Sequence, residues 1–256
     1  MSIIKNKELW ATKIQYLNDE NEYKLALSIA EKYLTNLQNT ALAPGVLDLI
    51  SRLLEELDNI SNVNICVCSL SEQGDLLSQW RGYSTSLGGY SIGFDFKELQ
   101  SLATKHDFRL EKCVYSPSEQ ESLVHDVINR ILSEFNAAKG SFSPVRTFKN
   151  DMCLLSPIIK DKSFEEEGEW RLFSQKTFSE LDFRAGKSML TPFAKFPLDS
   201  DLTQLLSEII IGHTPHVELA VKSTQAFLIK HYPPKSGYDY SCKFEVRPSS
   251  IPFRNW

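Results

Sequence analysis

The sequence lacks the features that mark membrane, secreted and disulfide-rich proteins. It has no apolar run near the ~18 residues of a membrane helix, because its densest stretch, Ile209 to Ile211, lies between Glu208 and Gly212. The first seven residues hold no apolar core of signal-peptide length. Five cysteines in 256 residues are too few and too scattered for a disulfide scaffold. We therefore expect a protein of the cytoplasm without a membrane partner.

The chain also has little net charge and no Pro- or Ser-rich linker. It carries 28 Lys+Arg and 33 Asp+Glu, a net charge of −5, and 42% of its residues are hydrophobic. These values are typical of globular proteins, and the mild acidity argues against a broad phosphate-binding surface. The missing linker predicts a single domain over 1–256, with a helical part up to about residue 61 and a mixed part from about 62 onwards.

The apolar periodicity predicts both helices and strands. Helical stripes occur over 23–37, 46–60, 117–135 and 217–231. Short strands are predicted at 64–70, 90–94, 110–115, 169–174, 183–190, 208–211 and 243–246. Because helices cluster early and strands dominate the middle without regular alternation, the pattern favours an α+β fold over a doubly wound parallel sheet.

Several catalytic and metal-binding patterns are absent or weak. There is no Walker loop, Rossmann glycine fingerprint or His-Glu-x-x-His helix. The run Gly89-Tyr90-Ser91-Ile92-Gly93 matches a nucleophile elbow, but strand alternation continues through Phe94, so a serine hydrolase built on Ser91 ranks last. Cys66-x-Cys68 is more typical of small buried residues than of a zinc site. His213 and His216 have no cysteine or acidic cluster nearby in sequence, so we expect no metal.

Two segments carry residues that suit a binding or catalytic site. Trp80 and Tyr83 lie three apart on a short predicted helix, where they form either a stacking platform for a planar ring or an anchor for that helix. Glu169 and Arg171 share one face of a predicted strand, because side chains alternate along strands. An adjacent Arg keeps a carboxylate ionised, and a fixed carboxylate suits a sugar hydroxyl or a cationic transition state. The alternative for Glu169 is an exposed structural pair, and Glu165 to Glu167 read as a solvated turn.

At these segments the sequence resembles a bacterial family of unknown function, usually numbered 2971. The matching elements keep their order along nearly the whole chain. They are Leu9-Trp10-Ala11-Thr12, Asn18 to Glu22, Ser69-Leu70-Ser71, Trp80-Arg81-Gly82-Tyr83, Gly89 to Asp95, Phe164 to Arg171, and Ser250 to Arg254.

That family resembles, at a greater distance, the ADP-ribosyltransferases, whose fold is a split antiparallel β-sheet with packed helices. The resemblance implies NAD as substrate and a protein or nucleic acid as the modified target, with a role as a toxin or antiphage defence effector. It implies Glu169 as the catalytic carboxylate and Tyr83 as the ring that stacks on nicotinamide, with Trp80. It further implies Ser69, Ser71 and Arg171 as residues that bind NAD. The alternative is a non-catalytic interaction module that keeps the fold and binds through the Trp80 and Tyr83 surface.

One element of that family is missing from the sequence. Its members usually open with a strand carrying His-Tyr-Thr, whose His is expected to hold the ribose of NAD. Here the segment from Ile3 to Trp10 resembles the helix that follows that strand. Either the reading frame begins too late or the protein lacks that strand. In the second case the site loses this anchor and an edge of the sheet is exposed.

Overall fold

The computed structural model describes residues 1–17, 23–40, 42–84, 88–137, 143–186, 188–232 and 245–252. The chain divides into two compact units, each built from separate segments. Unit 1 comprises Met1–Leu9, Ser71–Arg109 and Phe196–Trp256, and unit 2 comprises Trp10–Leu70 and Leu110–Lys195. The single domain with a change near residue 61 stays a prediction.

The predicted α+β class is confirmed, with helices packed on sheets whose described strand pairs are mostly antiparallel. The helices are α1 (Ser2–Asn6), α2 (Lys24–Gln38), α3 (Pro44–Ser61), α4 (Leu77–Tyr83), α5 (Phe96–Lys105), α6 (Pro117–Ala137), α7 (Pro144–Leu155), α8 (Leu202–Leu205) and α9 (Val217–His231). The strands are β1 (Glu8–Lys13), β2 (Ile65–Ser71), β3 (Tyr90–Phe94), β4 (Arg109–Lys112), β5 (Glu169–Gln175), β6 (Asp182–Ala185), β7 (Leu190–Pro197), β8 (Leu206–Ile211) and β9 (Glu245–Pro248).

Unit 2 contains a six-stranded sheet, apart from residues at the ends of β1, β2, β4 and β7 that fall in unit 1. Its strand order is β4-β5-β2-β1-β7-β6, and the pairs β1–β2 and β6–β7 are antiparallel. The apolar stripes of α2, α3, α6 and α7 form one buried cluster with β2 and β5. Its members include Leu34, Leu53, Val67, Ile128 and Phe173.

Unit 1 contains a three-stranded sheet in the order β3-β8-β9. The pair β3–β8 is antiparallel and the pair β8–β9 is parallel, with α9 as the crossover between the parallel strands. The isoleucines at 209, 210 and 211 of β8 are buried, which fits the central strand of a covered sheet. Asp95 begins α5, because its side chain accepts the backbone N–H of Glu98 at 3.0 Å.

Two local predictions were wrong. The predicted strand from Phe183 to Leu190 is two strands, β6 and β7, whose antiparallel register pairs Ala185 with Leu190. The predicted helix near the start ends at Asn6, and Lys7 then takes a left-handed φ of 55°. Leu9 and Trp10 therefore lie in strand β1.

Some predictions lie partly or wholly outside the described residues. These are the Asn18 to Glu22 element, residues 243–244 of the last predicted strand, and Phe253 and Arg254 of the closing motif. Among the residues that the structure does describe, no helix combines the length and the apolar character needed to span a bilayer.

Candidate functional site

Strand β5 begins at Glu169 because a tight turn ends directly before it. Asp161 starts a short 3-10 helix, Lys162–Glu167, by accepting the backbone N–H of Ser163 at 2.9 Å. Gly168 ends that helix with a φ of 49°, in the left-handed region that glycine adopts without a steric cost. The turn therefore delivers the Glu169 side chain to a fixed position at the start of a sheet strand.

Glu169 lies in a buried group of charged side chains, which we call the ion cluster: Lys160, Glu167, Glu169 and Arg171. Arg171 donates from Nε to Glu169 Oε1 at 2.9 Å and from a terminal nitrogen to Oε2 at 3.3 Å. Lys160 Nζ donates to Glu169 Oε2 and, at 2.6 Å, to Glu167 Oε2. The predicted pairing of Glu169 with Arg171 is confirmed, and both oxygens of Glu169 accept from cations.

The ion cluster is in the interior, which differs from the exposed pair considered as the alternative. Glu169 is 2% exposed, Arg171 0% and Lys160 4%. Burial alone would raise the pKa of Glu169, but the charge and hydrogen bonds of Arg171, followed by those of Lys160, outweigh it and hold that pKa below its ordinary value. Glu169 is therefore an ionised carboxylate that is almost completely shielded from solvent.

The surrounding backbone holds the ion cluster in place. The backbone N–H of Glu169 donates to the hydroxyl of Tyr115 at 2.9 Å, and burial raises the pKa of Tyr115 to about 12. Gln120 donates to the Lys160 carbonyl at 2.7 Å, and Arg171 donates to the Pro157 carbonyl at 2.6 Å. These contacts satisfy polar groups that would otherwise be costly to bury.

Several of these residues share one face of the six-stranded sheet. Thr12 and Val67 are opposite each other in β1 and β2; since side chains alternate along a strand, Trp10 shares the face of Thr12, and Ser69 that of Val67. Glu169 and Arg171 share a face of β5 with Phe173, which belongs to the same buried cluster as Val67. We call this surface the candidate face, defined by Trp10, Ser69, Glu169 and Arg171.

The two aromatic candidates lie in unit 1 and differ in exposure. Trp80 is 5% exposed, and its Nε1–H donates to Asp75 Oδ1 at 2.7 Å. A Cβ added to Gly212 would come within 2.8 Å of the Trp80 ring, so glycine permits this close packing. Trp80 therefore anchors α4 and leaves little ring surface for a ligand. Tyr83, at the end of α4, is 68% exposed.

Asp75 ties the segment after β9 to α4. It accepts from the hydroxyls of Ser249 and Ser250, at 2.5 and 2.9 Å, and from the backbone N–H of Ser250 at 2.7 Å. Burial would raise its pKa, but the hydrogen bonds from Ser249, Trp80 and Ser250 outweigh it and lower the pKa of Asp75 to about 2. The Trp80 and Ser250 elements of the resemblance thus meet on one carboxylate.

Residues 79–172 match a family model described as protein of unknown function (DUF2971). The match supports the predicted resemblance over this part of the chain and includes Trp80, Tyr83, Glu169 and Arg171. Ser69, Ser71 and the closing Ser250 element lie outside it. The comparisons with curated proteins and with solved structures found no significant match.

The other candidates have ordinary structural surroundings. Ser71 ends β2, and its hydroxyl accepts the backbone N–H of Gln73 at 3.1 Å. Ser91 lies inside β3 and not at a strand-to-helix turn, as the alternation predicts. Cys66 is fully buried, and His213 bonds through Nε2 to the Ile251 carbonyl at 2.7 Å.

Sequence reasoning missed three residues of this unit. Lys160 is the central cation of the ion cluster. The sequence feature that could have indicated its burial is its position directly after the apolar Pro157-Ile158-Ile159. Glu167 was assigned to a solvated turn, but it binds Lys160. Arg184 lies over the ring of Trp10, and no local pattern joins these two residues, which are 174 positions apart.

Removing Lys160 tests whether the ion cluster is balanced by its two cations. We expect Lys160→Met to lower the free energy of unfolding by about 3–5 kcal/mol, because it leaves a buried carboxylate with one cation. Lys162→Met, an exposed neighbour, should stay within about 0.5 kcal/mol of wild type in urea unfolding. A double variant carrying Lys160→Met and Glu169→Gln should lose less free energy of unfolding than the two single variants lose together. Additive losses would contradict a direct contact between Lys160 and Glu169.

The Asp75 contacts predict a specific pH dependence. Because the folded pKa, about 2, lies below the ordinary aspartate value of 3.8, the stability from Asp75 is complete above about pH 4 and is lost as the pH falls towards 2. Asp75→Asn should be less stable than wild type in urea at pH 5, and the difference should shrink at pH 3. Asp48→Asn, at an exposed helix position, should keep the wild-type dependence. If the free energy of unfolding of Asp75→Asn and of wild type changed equally between pH 5 and pH 3, this assignment would be contradicted.

Proposed function

We propose that this chain is an ADP-ribosyltransferase-like protein that uses NAD to modify a macromolecular target, in a toxin or defence role. The observation that carries the proposal is the ionised carboxylate of Glu169, fixed at the start of β5 by Arg171. The DUF2971 match over residues 79–172 includes this segment. The separation of the strands into a six-stranded and a three-stranded sheet supports the ADP-ribosyltransferase-like fold.

The reaction assigns a clear task to a fixed carboxylate. The bond between the ribose C1′ and the nicotinamide nitrogen breaks, and nicotinamide leaves with the bonding electron pair. The ribose becomes an oxocarbenium ion, and a lone pair of the target then forms the new bond to C1′ as the target loses a proton. A carboxylate that is already ionised and oriented stabilises this developing positive charge without reorganisation.

In this proposal each polar residue of the candidate face has a role. Glu169 accepts a hydrogen bond from a hydroxyl of the nicotinamide ribose and faces the positive charge of the oxocarbenium ion. Arg171 is a positioning residue, since it reaches Glu169 through Nε and is itself fully buried. Ser69 is exposed at the end of β2, the neighbour of β5, and supports the bound NAD.

Substrate must gain access to Glu169, because the side chain is 3% exposed. Lys160 covers Oε2 and also binds Glu167, whose side chain is 23% exposed. A lysine has a flexible four-carbon stem, so a shift of Nζ towards Glu167 removes one of the two donors from Oε2, the other being Arg171, while the ammonium keeps one carboxylate partner. The proposal therefore includes this local opening before NAD binds.

A second candidate function is a non-catalytic interaction module. Both carboxylate oxygens of Glu169 are already used within the ion cluster, as in a purely structural network. The 68% exposed ring of Tyr83 offers a contact surface instead. On this alternative NAD is not consumed, and Tyr83→Ala abolishes binding of a partner.

Release of nicotinamide from NAD separates the two functions. Wild type should release nicotinamide, and Glu169→Gln should reduce the rate at least about 100-fold, the scale of losing one transition-state contact. Glu166→Gln removes the same charge from an exposed position of the preceding turn and should leave the rate unchanged. Because Glu169→Gln also removes a negative charge from the ion cluster and can prevent folding, Glu169→Asp is the second variant. It keeps the charge, and we expect it to fold and to release nicotinamide more slowly than wild type.

Two outcomes would contradict the enzymatic proposal. One is the absence of nicotinamide release by wild type with protein and nucleic acid extracts as targets. The other is a Glu169→Gln variant that is folded, by its unfolding transition, and as active as Glu166→Gln.

A further inference from the structure

The candidate face holds a second group of side chains, at a distance from the ion cluster. The guanidinium of Arg184, on β6, lies 5.6 Å from the centre of the Trp10 ring and 5.9 Å from that of Phe193. Its terminal nitrogen donates to the Thr12 hydroxyl at 2.9 Å. Trp10 and Phe193 are themselves in contact, with ring centres 4.6 Å apart. Two rings and a hydroxyl thus fix the position of one cation.

Arg184 has no carboxylate partner within the described part of the chain, where it contacts the Thr12 hydroxyl and the two rings. This distinguishes it from Arg171, which is fully buried and paired with Glu169. The side chain of Arg184 is partly exposed. A held guanidinium whose partners among the described residues are uncharged is well suited to phosphate, because its planar fork matches the geometry of phosphate oxygens.

Trp10 supplies the second half of a nucleotide site. It is 41% exposed although it lies in an interior strand of the six-stranded sheet. The exposed part of the indole can contact a flat aromatic base, while the cation binds the adjoining phosphate. A charged nucleotide therefore matches this surface better than a purely apolar ligand.

We infer that Trp10 and Arg184 form a binding subsite for a nucleoside diphosphate, with the diphosphate on Arg184 and the base on Trp10. The subsite deepens the proposed function and rests on it for its biological meaning, since NAD contains an adenosine diphosphate portion. The subsite lies on the same face of the six-stranded sheet as Glu169. Strands in a sheet stand about 4.8 Å apart, so β1 lies about 10 Å from β5, with Ser69 of β2 between them on the candidate face.

Calorimetric titration of the full chain with ADP tests the subsite without any catalysis. Wild type should bind ADP, and Arg184→Gln should weaken binding at least tenfold because the phosphate loses its cation. Lys195→Gln is the matched control. Lys195 lies two residues after Phe193 and therefore on the same side of β7, is half-exposed and also carries one positive charge. It should weaken ADP binding less than threefold.

The two halves of the ligand are tested separately with pyrophosphate and adenosine. Trp10→Leu should weaken ADP and adenosine more than pyrophosphate, and Arg184→Gln should weaken pyrophosphate and spare adenosine. If Arg184→Gln does not fold, Arg184→Lys keeps the charge without the planar fork and should give an intermediate loss of ADP binding.

The subsite is overturned if wild type fails to bind ADP at millimolar concentration, or if the Gln variants at 184 and 195 bind it equally well. These results are separable from the outcome of the NAD assay. If ADP binding depends on Arg184 but the protein releases no nicotinamide, the subsite is supported and the enzymatic function is contradicted. Nicotinamide release with ADP binding insensitive to Arg184 would do the reverse.

Discussion

The interaction on which the site in unit 2 depends is the contact between the Glu169 carboxylate and the two cations Arg171 and Lys160. An isolated carboxylate at 2% exposure would be too costly to keep ionised. Arg171 and Lys160 offset this cost from two directions and keep the pKa low. The same contacts that stabilise the charge also cover it. The resting structure is therefore consistent with a structural network, and the proposed catalysis requires Lys160 to move.

The motif residues divide into two physical groups. Trp80, Asp75 and Ser250 hold unit 1 together, because one carboxylate receives the indole, the hydroxyl and the backbone N–H. Glu169 and Arg171 form the charged group of unit 2. A shared sequence pattern therefore does not by itself mark a catalytic residue: the buried Trp80 has a sufficient reason to be present in the packing of α4. Tyr83 is 68% exposed, and its place on nicotinamide stays a prediction.

Long elements could be predicted from the sequence, and tertiary partners could not. The stripe of α3 repeats at helical spacing, and β3 alternates, so local periodicity was sufficient for both. The segment from Phe183 to Leu190 was misread as one strand because an isolated glycine in such a segment, Gly186, more often indicates a bulge than the chain reversal that places Ala185 opposite Leu190. Glu169 and Arg171 were placed side by side by alternation alone. Their burial, Lys160 as their partner, and Arg184 over Trp10 depend on chain segments that only the fold brings together.

The central claim is that Glu169 is ionised inside the folded protein because two cations hold it so. The most direct measurement is an NMR titration of the carboxyl carbon of Glu169 in the folded chain, assigned with the Glu169→Gln variant. The account predicts a pKa below the ordinary glutamate value, and a higher pKa in Lys160→Met, where one cation is gone. A wild-type pKa at or above the ordinary value, unchanged by the loss of Lys160, would contradict it.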